Sequence, residues 1–338
     1  MKIKTQAIIG DAHRLTVWLY SFLRFFFLIS LIAIPIHYTG LLSILYFIDL
    51  FSHFTLQYAM GGLVLGALLL VFQEKKKAAI CFCIFFLCLI ETRWTLDHPL
   101  QFSPTAEKPV YRVATYNHNV GKRDFQTVRD WLTQHHEELD AVVIQEANAG
   151  TSEMAESLRA LFPYQIHEPR DYPFGMVILS KYEFVEPQKI SLPGPYFENM
   201  AIHFSFQSPK ALRPLAVYAV HSYPPAGPLA ASQRDYDLLE TARYIGGDKS
   251  QNIVMMGDFN LTPFAPVFGQ VLDVSDLNYQ SYGLLLNPTW PSFNMFDFLR
   301  IPIDHVFYSD GLIQIEKQVG ASFGSDHHIL IVGYAENR

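Results

Sequence analysis

From Leu15 to Gln73 the chain is apolar almost without interruption; apart from histidines and tyrosines, Arg24 and Asp49 are its only ionisable residues there. Beyond residue 110 the pattern becomes short apolar runs alternating with amphipathic stretches. The first pattern predicts membrane helices, because a span takes about 20 predominantly apolar residues. Three segments fit: 15–36, 54–72, and a shorter one at 78–94 that is frayed by Glu91 and Arg93. The apolar core of the first is too long and bulky for a signal peptide, and no small-residue cleavage site follows it. The aromatic-rich stretch 41–54, with Asp49 and His53, reads either as an interfacial helix or as an extension of the second span.

A Pro-containing polar linker, 97–109, separates this region from the second pattern, which fills 110–338. Apolar runs at 110–117, 140–146, 175–181, 200–206, 214–222, 302–309 and 328–334 predict strands, and so does the run leading into "GDFN" at 257–260. Helical spacing appears at 125–139, 151–162 and 231–245. Strands and helices in alternation predict a layered α/β domain.

Charge divides the chain at the same place. Residues 1–94 hold 8 Lys/Arg against 4 Asp/Glu, and residues 95–338 hold 17 against 28, a net of −11 for the second part. Lys2, Lys4 and Arg14 precede the first apolar segment, "EKKK" (74–77) joins the second to the third, and 37–53 has no Lys or Arg. Positive loops stay inside, so three crossings place the N-terminus in the cytoplasm and the second part outside, in a multi-pass protein of the cell (inner) membrane. All three cysteines, Cys81, Cys83 and Cys88, lie in the apolar part. The second part therefore has no disulfide, thiolate nucleophile or thiolate metal site.

The candidate chemistry lies at the strand ends. Asn117, Glu146, His221, Asp258 with Asn260, Asp304, and Asp326 with His327 each close or open an apolar run. Singly, each is an ordinary turn or packed residue. Together, on one sheet edge, they suit phosphoester hydrolysis. A hard cation such as Mg²⁺ or Mn²⁺ takes carboxylate and carbonyl oxygens, which Asn117, Glu146 and Asp326 would supply. His327 is a suitable base for the attacking water, with Asp304 holding its tautomer.

The ordered set "TYN", "IQE", "GMVILSK", "VHS", "GDFN", "IDHVFYS" and "SDH" resembles the endonuclease/exonuclease/phosphatase superfamily over roughly residues 110–335. Three apolar segments ahead of it are similar to membrane-tethered bacterial members. The resemblance implies a four-layer sandwich of two mostly antiparallel sheets flanked by helices. It implies Mg²⁺ held with Asn117 and Glu146, Asp326 near the metal, and Asp258 and Asn260 positioning water and phosphate. Asp304 would pair with His327, and His221 would contact the phosphate or assist the leaving oxygen. Two positions depart from the pattern: His328-Ile329 follow "SDH" where relatives often have a variable residue and proline, and Asn119 stands where nucleases often have an acid.

The expectation is a membrane-anchored, metal-dependent phosphodiesterase acting outside the cytoplasm on a lipid, envelope or small phosphodiester. An extracytoplasmic nuclease is the alternative, disfavoured by the acidic balance because nucleic-acid binders present basic surfaces. A non-catalytic membrane sensor or adaptor is the other, and it would be expected to have lost some of these acid, base or metal residues.

Overall fold

The computed structural model describes residues 2–38, 49–95, 108–122, 124–283, 286–292 and 297–337. They form two compact units, one of N-terminal helices and one that contains every strand. The linker expected at 97–109 and the stretch expected at 41–54 lie mostly outside the described residues.

The N-terminal unit contains α1 (Lys2–Tyr38), α2 (Thr55–Val71) and α3 (Lys75–Thr95). Its helices pack through Tyr20, Leu65, Leu69, Ala78 and Cys81, and through Phe27, Tyr58, Ala59, Ile84 and Cys88. Gly62 lets α2 and α3 approach closely: a Cβ there would sit 2.7 Å from the Cys81 carbonyl oxygen. The outer faces are apolar as well, with Trp18, Phe25, Leu28, Val64, Phe86 and Ile90 all exposed. A water-facing helix would carry polar residues there.

Among the described residues one helix is both long and apolar enough to cross a membrane, over Ile8–Ile32. This corrects the expectation of three such segments. The second is one of 17 residues, and the third begins with Lys75, Lys76 and Lys77 and carries Glu91 near its end. Glu91 is not left bare, since Thr55 Oγ1 donates to it at 3.2 Å.

The α/β unit holds two sheets. One runs β10 (Leu312–Val319), β11 (Leu330–Glu336), β1 (Tyr111–Asn117), β2 (Ala141–Gln145), β4 (Met176–Ser180), β3 (Tyr164–Glu168). The other runs β5 (Val185–Pro193), β6 (Glu198–Phe206), β7 (Leu215–His221), β8 (Asn252–Asp258), β9 (Asp304–Tyr308). Neighbours are antiparallel except for β1–β2 and β7–β8. Each parallel pair is joined through a helix, α4 (Gln126–His135) for the first and α6 (Pro228–Gly247) for the second, as a parallel connection requires.

Side chains alternate between two cores with the two-residue period of a strand. Val113, Val143, Met176 and Ile178 face Ile202, Phe204, Val217, Val254 and Val306 of the other sheet. Ala114, Val142, Ile144, Val177 and Leu179 face Val128 and Leu132 of α4, Met154 of α5 (Ala149–Ser157) and Leu158 just after it. On the far side, α6 packs on β5, β6 and β7, and Phe268 of α7 (Pro266–Ser275) meets Phe307 of β9 at a ring distance of 4.9 Å. The order is helix, sheet, sheet, helix.

One buried charge sits apart from the strand ends. Lys317 of β10 donates from Nζ to the Gln280 carbonyl at 3.0 Å and lies 4.4 Å above the Tyr279 ring centre. Burial pushes its pKa down to about 7 from 10.5. Between those values the unfolded chain binds a proton that the folded chain does not, so this group makes stability rise with pH across that window and is most costly below it. Lys317→Met is therefore expected to stabilise by on the order of a few kcal/mol at pH 7. Gln314 Nε2, at 3.2 Å, still satisfies the Gln280 carbonyl. Melting the full chain and the variant from pH 6 to 10 checks this: the advantage should shrink toward pH 10, and a pH-independent difference would contradict it.

Candidate active site

The two parallel pairs point their carboxyl ends the same way within each sheet, and the polar residues cluster there. Asn117 closes β1 and Glu146 follows β2, which lies beside it in register. His221 and Asp258 close β7 and β8 as register partners, and Asp304 opens β9 opposite Asp258. Carboxyl ends of parallel strands are where α/β folds place ligands.

Local backbone geometry shapes these strand ends. Gly257 has φ +147°, and a Cβ on it would lie 1.8 Å from the Val220 carbonyl oxygen of β7. Only glycine allows that approach. Asn119, Glu146 and Asn260 all adopt left-handed backbone, with φ of +64°, +53° and +50°. That conformation costs a non-glycine residue about 1–2 kcal/mol and tends to collect at functional sites. The Asp258–Asn260 turn is closed by the Asn260 N–H donating to Asp258 Oδ1 at 2.9 Å and by Asn260 Nδ2 donating to the Ser222 carbonyl at 3.0 Å.

All eight residues singled out in the sequence fall into one connected network. Asn117 Nδ2 donates to Glu146 Oε1 at 3.0 Å and to Asp258 Oδ2 at 2.9 Å. The same Asp258 oxygen lies 3.6 Å from His221 Nε2 and 3.7 Å from His327 Nε2. His327 Nδ1 is 2.9 Å from Asp304 Oδ2, which selects the tautomer with the proton on Nδ1 whenever the ring is neutral. Asp326 joins through Asn119, whose Nδ2 donates to Asp326 Oδ1 at 2.7 Å and whose backbone N–H donates to Asn117 Oδ1 at 2.9 Å.

Several supporting residues were not among the candidates. Trp290 Nε1 donates to Asp326 Oδ2 at 3.2 Å. Ser325 Oγ donates to the Asn117 carbonyl at 2.8 Å and accepts from the His327 N–H at 3.1 Å. The Val120 N–H donates to Glu146 Oε2 at 2.8 Å, and the Asp304 N–H to Thr289 Oγ1 at 3.3 Å. Ser325 stands inside "SDH" and was open to reading; Trp290 and Thr289 lie in a loop with no local signal of their role.

The electrostatics are set by crowded carboxylates in a buried place. Burial raises the Asp258 pKa and the charge of Asp304 adds to the rise, while His327 and the Asn117 hydrogen bond oppose it. Burial lowers the His221 pKa, which keeps that ring neutral. Burial also works to lower that of His327, but attraction to Asp304 and Asp258 and the hydrogen bond to Asp304 outweigh it, and the net shift is upward. Burial alone would raise Asp326; the Asn119 hydrogen bond, the charge of His327 and the Trp290 indole hold it below its ordinary value.

The site fits a hard divalent cation. Glu146, Asp258, Asp304 and Asp326 are four carboxylates, and the ion-pair partners shown for Asp258 and Asp304 are histidines. Asp304 Oδ1 is buried without a hydrogen-bond partner. Asp258, Asp304 and His327 bring ligand atoms within 4.8 Å of one another, a set different from the expected Asn117, Glu146 and Asp326. His327 Nδ1 is taken up by Asp304, and hard cations prefer oxygen to imidazole.

The sequence matches the endonuclease/exonuclease/phosphatase family over residues 114–327. No curated protein matches the chain. Among solved structures it is similar to an endonuclease/exonuclease/phosphatase from Beutenbergia cavernae DSM 12333, at 18% identity and a TM-score of 0.56, covering 67% of this chain and 72% of that one. It is similar to the human Nocturnin catalytic domain with bound sulfate, at 18% identity and 0.53, covering 70% and 97%. A mannosyl-6-phosphatase from Bacteroides thetaiotaomicron VPI-5482 shares 15% identity at 0.51, covering 67% and 99%. At such identities the structural likeness speaks for the fold, and the family match over more than half the chain speaks for descent. The chain belongs to the endonuclease/exonuclease/phosphatase family, hydrolases of phosphoester bonds that use divalent metal ions.

Proposed function

We propose that this chain is a membrane-anchored, Mg²⁺- or Mn²⁺-dependent phosphodiesterase whose catalytic unit faces away from the cytoplasm. The observation that carries the reaction is the run Asp304–His327–Asp258–Asn117–Glu146, in which a carboxylate-oriented histidine and a cluster of oxygen ligands meet at one set of strand ends. Asn117, Glu146 and Asp326 would hold the cation. When bound, it would offset charge on the phosphoryl oxygens as the transition state forms and oppose the upward shift of His327.

The protein's own groups supply the rest. His327, oriented by Asp304 through Nδ1, presents Nε2 to the attacking water and takes its proton. Asp258 and Asn260 position water and phosphate at the end of β8. His221, kept neutral by burial, approaches the same Asp258 oxygen as His327 and donates a hydrogen bond to a phosphoryl or leaving oxygen.

For the anchor, Ile8–Ile32 is the crossing. Lys2 and Lys4, ahead of Ile8–Ile32, then hold the N-terminus inside and orient the α/β unit outward. The net −11 of residues 95–338 favours a lipid, envelope or small phosphodiester over nucleic acid.

One experiment addresses activity and orientation together. Spheroplasts expressing the chain should hydrolyse externally added bis(p-nitrophenyl) phosphate when Mg²⁺ is present, with little further gain on lysis. Activity that emerges only after lysis would put the catalytic unit in the cytoplasm; none in either state would refute the enzymatic reading.

A further inference from the structure

The surface beside His221 is aromatic. The Phe174 ring lies 5.2 Å from that of His221 and 4.1 Å from that of Tyr223, and Tyr223 stacks on Phe197 at 4.9 Å. Tyr172 extends the row, 6.5 Å from Phe174. The row is assembled from three connections: β3–β4, the β5–β6 turn, and the segment after β7. Its outer members Tyr172 and Phe197 face solvent, 53% and 40% exposed, and so does Tyr196, the chain neighbour of Phe197 in the same turn, at 45%.

The backbone of the turn that carries Tyr196 and Phe197 is held in place. Gln233 of α6 is fully buried, and its Oε1 accepts from the backbone N–H groups of Tyr196 at 3.2 Å and Phe197 at 3.1 Å. Its Nε2 donates to Asp237 at 2.7 Å. Asp237 also accepts from Asn199 Nδ2 at 2.7 Å, and that group donates to the His221 carbonyl at 2.8 Å as well. One buried network therefore fixes both the exposed turn and the strand end that carries His221. Presenting aromatic rings to water on a fixed turn forgoes the burial of about 150–250 Å² that each offers when covered.

We propose that Tyr172, Tyr196 and Phe197 are the surface by which the α/β unit rests on a phospholipid bilayer, so that a lipid phosphodiester reaches His221 from the membrane. Gln233 is the positioning residue that ties this surface to the site. The proposal rests on the phosphodiesterase reading above and adds the source of the substrate. Tyrosine and phenylalanine suit the interface between headgroups and acyl chains. Arg170 stands at the rim, donating from Nη1 to the Tyr172 hydroxyl at 2.8 Å, where a cation meets lipid phosphates. A polyanionic nucleic acid would instead meet a unit of net −11. The same chain carries the helix Ile8–Ile32, apolar enough to keep it at a membrane.

The test compares two substrates with the full chain reconstituted into vesicles of equal phosphatidylethanolamine and phosphatidylglycerol. One is the vesicle lipid, followed by headgroup phosphate release; the other is soluble bis(p-nitrophenyl) phosphate. The triple variant Tyr172→Ser, Tyr196→Ser, Phe197→Ser should lose about ten-fold or more on vesicle lipid and stay within about two-fold on the soluble diester. Gln233→Leu, which releases the Tyr196–Phe197 turn, should raise KM for vesicle lipid by a larger factor than KM for the soluble diester. An equal loss on both substrates, or none on the vesicles, overturns the proposal. So does a selective loss on single-stranded DNA, which would make the rings a base-stacking surface. A wild-type chain that cleaves the soluble diester and no vesicle lipid refutes the bilayer surface alone, whereas a chain idle on both refutes the catalytic reading beneath it.

Discussion

His327→Ala is expected to lower kcat on a phosphodiester by at least about 100-fold, the usual worth of a positioned proton acceptor. The imidazole links two carboxylates, with Nδ1 at 2.9 Å from Asp304 and Nε2 at 3.7 Å from Asp258. Removing it takes away the group that accepts the water's proton and leaves those carboxylates facing each other without a cation between them. Folding is therefore checked in parallel by melting at high Mg²⁺. His327→Gln, closer in volume, should show the same loss in kcat with less strain. Asp304→Asn should fall less far, because the amide oxygen still accepts from Nδ1 and keeps the tautomer. A His327→Ala protein within a few-fold of wild type would mean that another group takes the proton.

Glu146→Gln is expected to raise the Mg²⁺ concentration for half-maximal activity by about ten-fold or more, since even outer partners of metal ligands are worth 10–100-fold in affinity. The carboxylate is held from both sides, Oε1 by Asn117 and Oε2 by the Val120 N–H, on a backbone at φ +53°. Glutamine keeps the shape and loses the charge, and its amide group must turn an N–H toward one of those two donors. Titrating Mg²⁺ against activity separates this from damage to the base, which would lower kcat at saturation without moving the midpoint. An unchanged midpoint would shift the cation to the other cluster, Asp258, Asp304 and His327.

The central strands were legible because they are buried on both faces and read as apolar runs: β1, β2, β4, β7 and β8 are almost wholly buried. The strands missed were β3, β5 and β10, each at a sheet edge. An edge strand meets solvent along one side, so β5, with Pro187 and Pro193 and burial only at Ile190 and Leu192, carries little periodicity to find. Helix α7 was missed because Pro266 at its start and Gly269 inside it read as loop signals.

The site was legible for a different reason. Its residues close or open strands that do show in the pattern, so their order along the chain places them at strand ends. What the order could not give was the pairing between them. That Asn119 bridges Asp326 to Asn117 depends on a left-handed turn and on contacts across more than 200 residues of chain. Trp290 and Thr289 reach the site from a loop in the same non-local way. In the N-terminal unit the apolar pattern was plain, but it overcounted spans, because apolarity alone ignores the lysines that open α3 and the 17-residue length of α2.

The account stands or falls on whether oxygen ligands at these strand ends hold a cation that the hydrolysis needs. The direct measurement is turnover of bis(p-nitrophenyl) phosphate by the purified full chain, first stripped with EDTA and then given back Mg²⁺ or Mn²⁺ alone. The account predicts loss of activity in chelator and its recovery with either ion, without Zn²⁺. Full turnover in EDTA would contradict it.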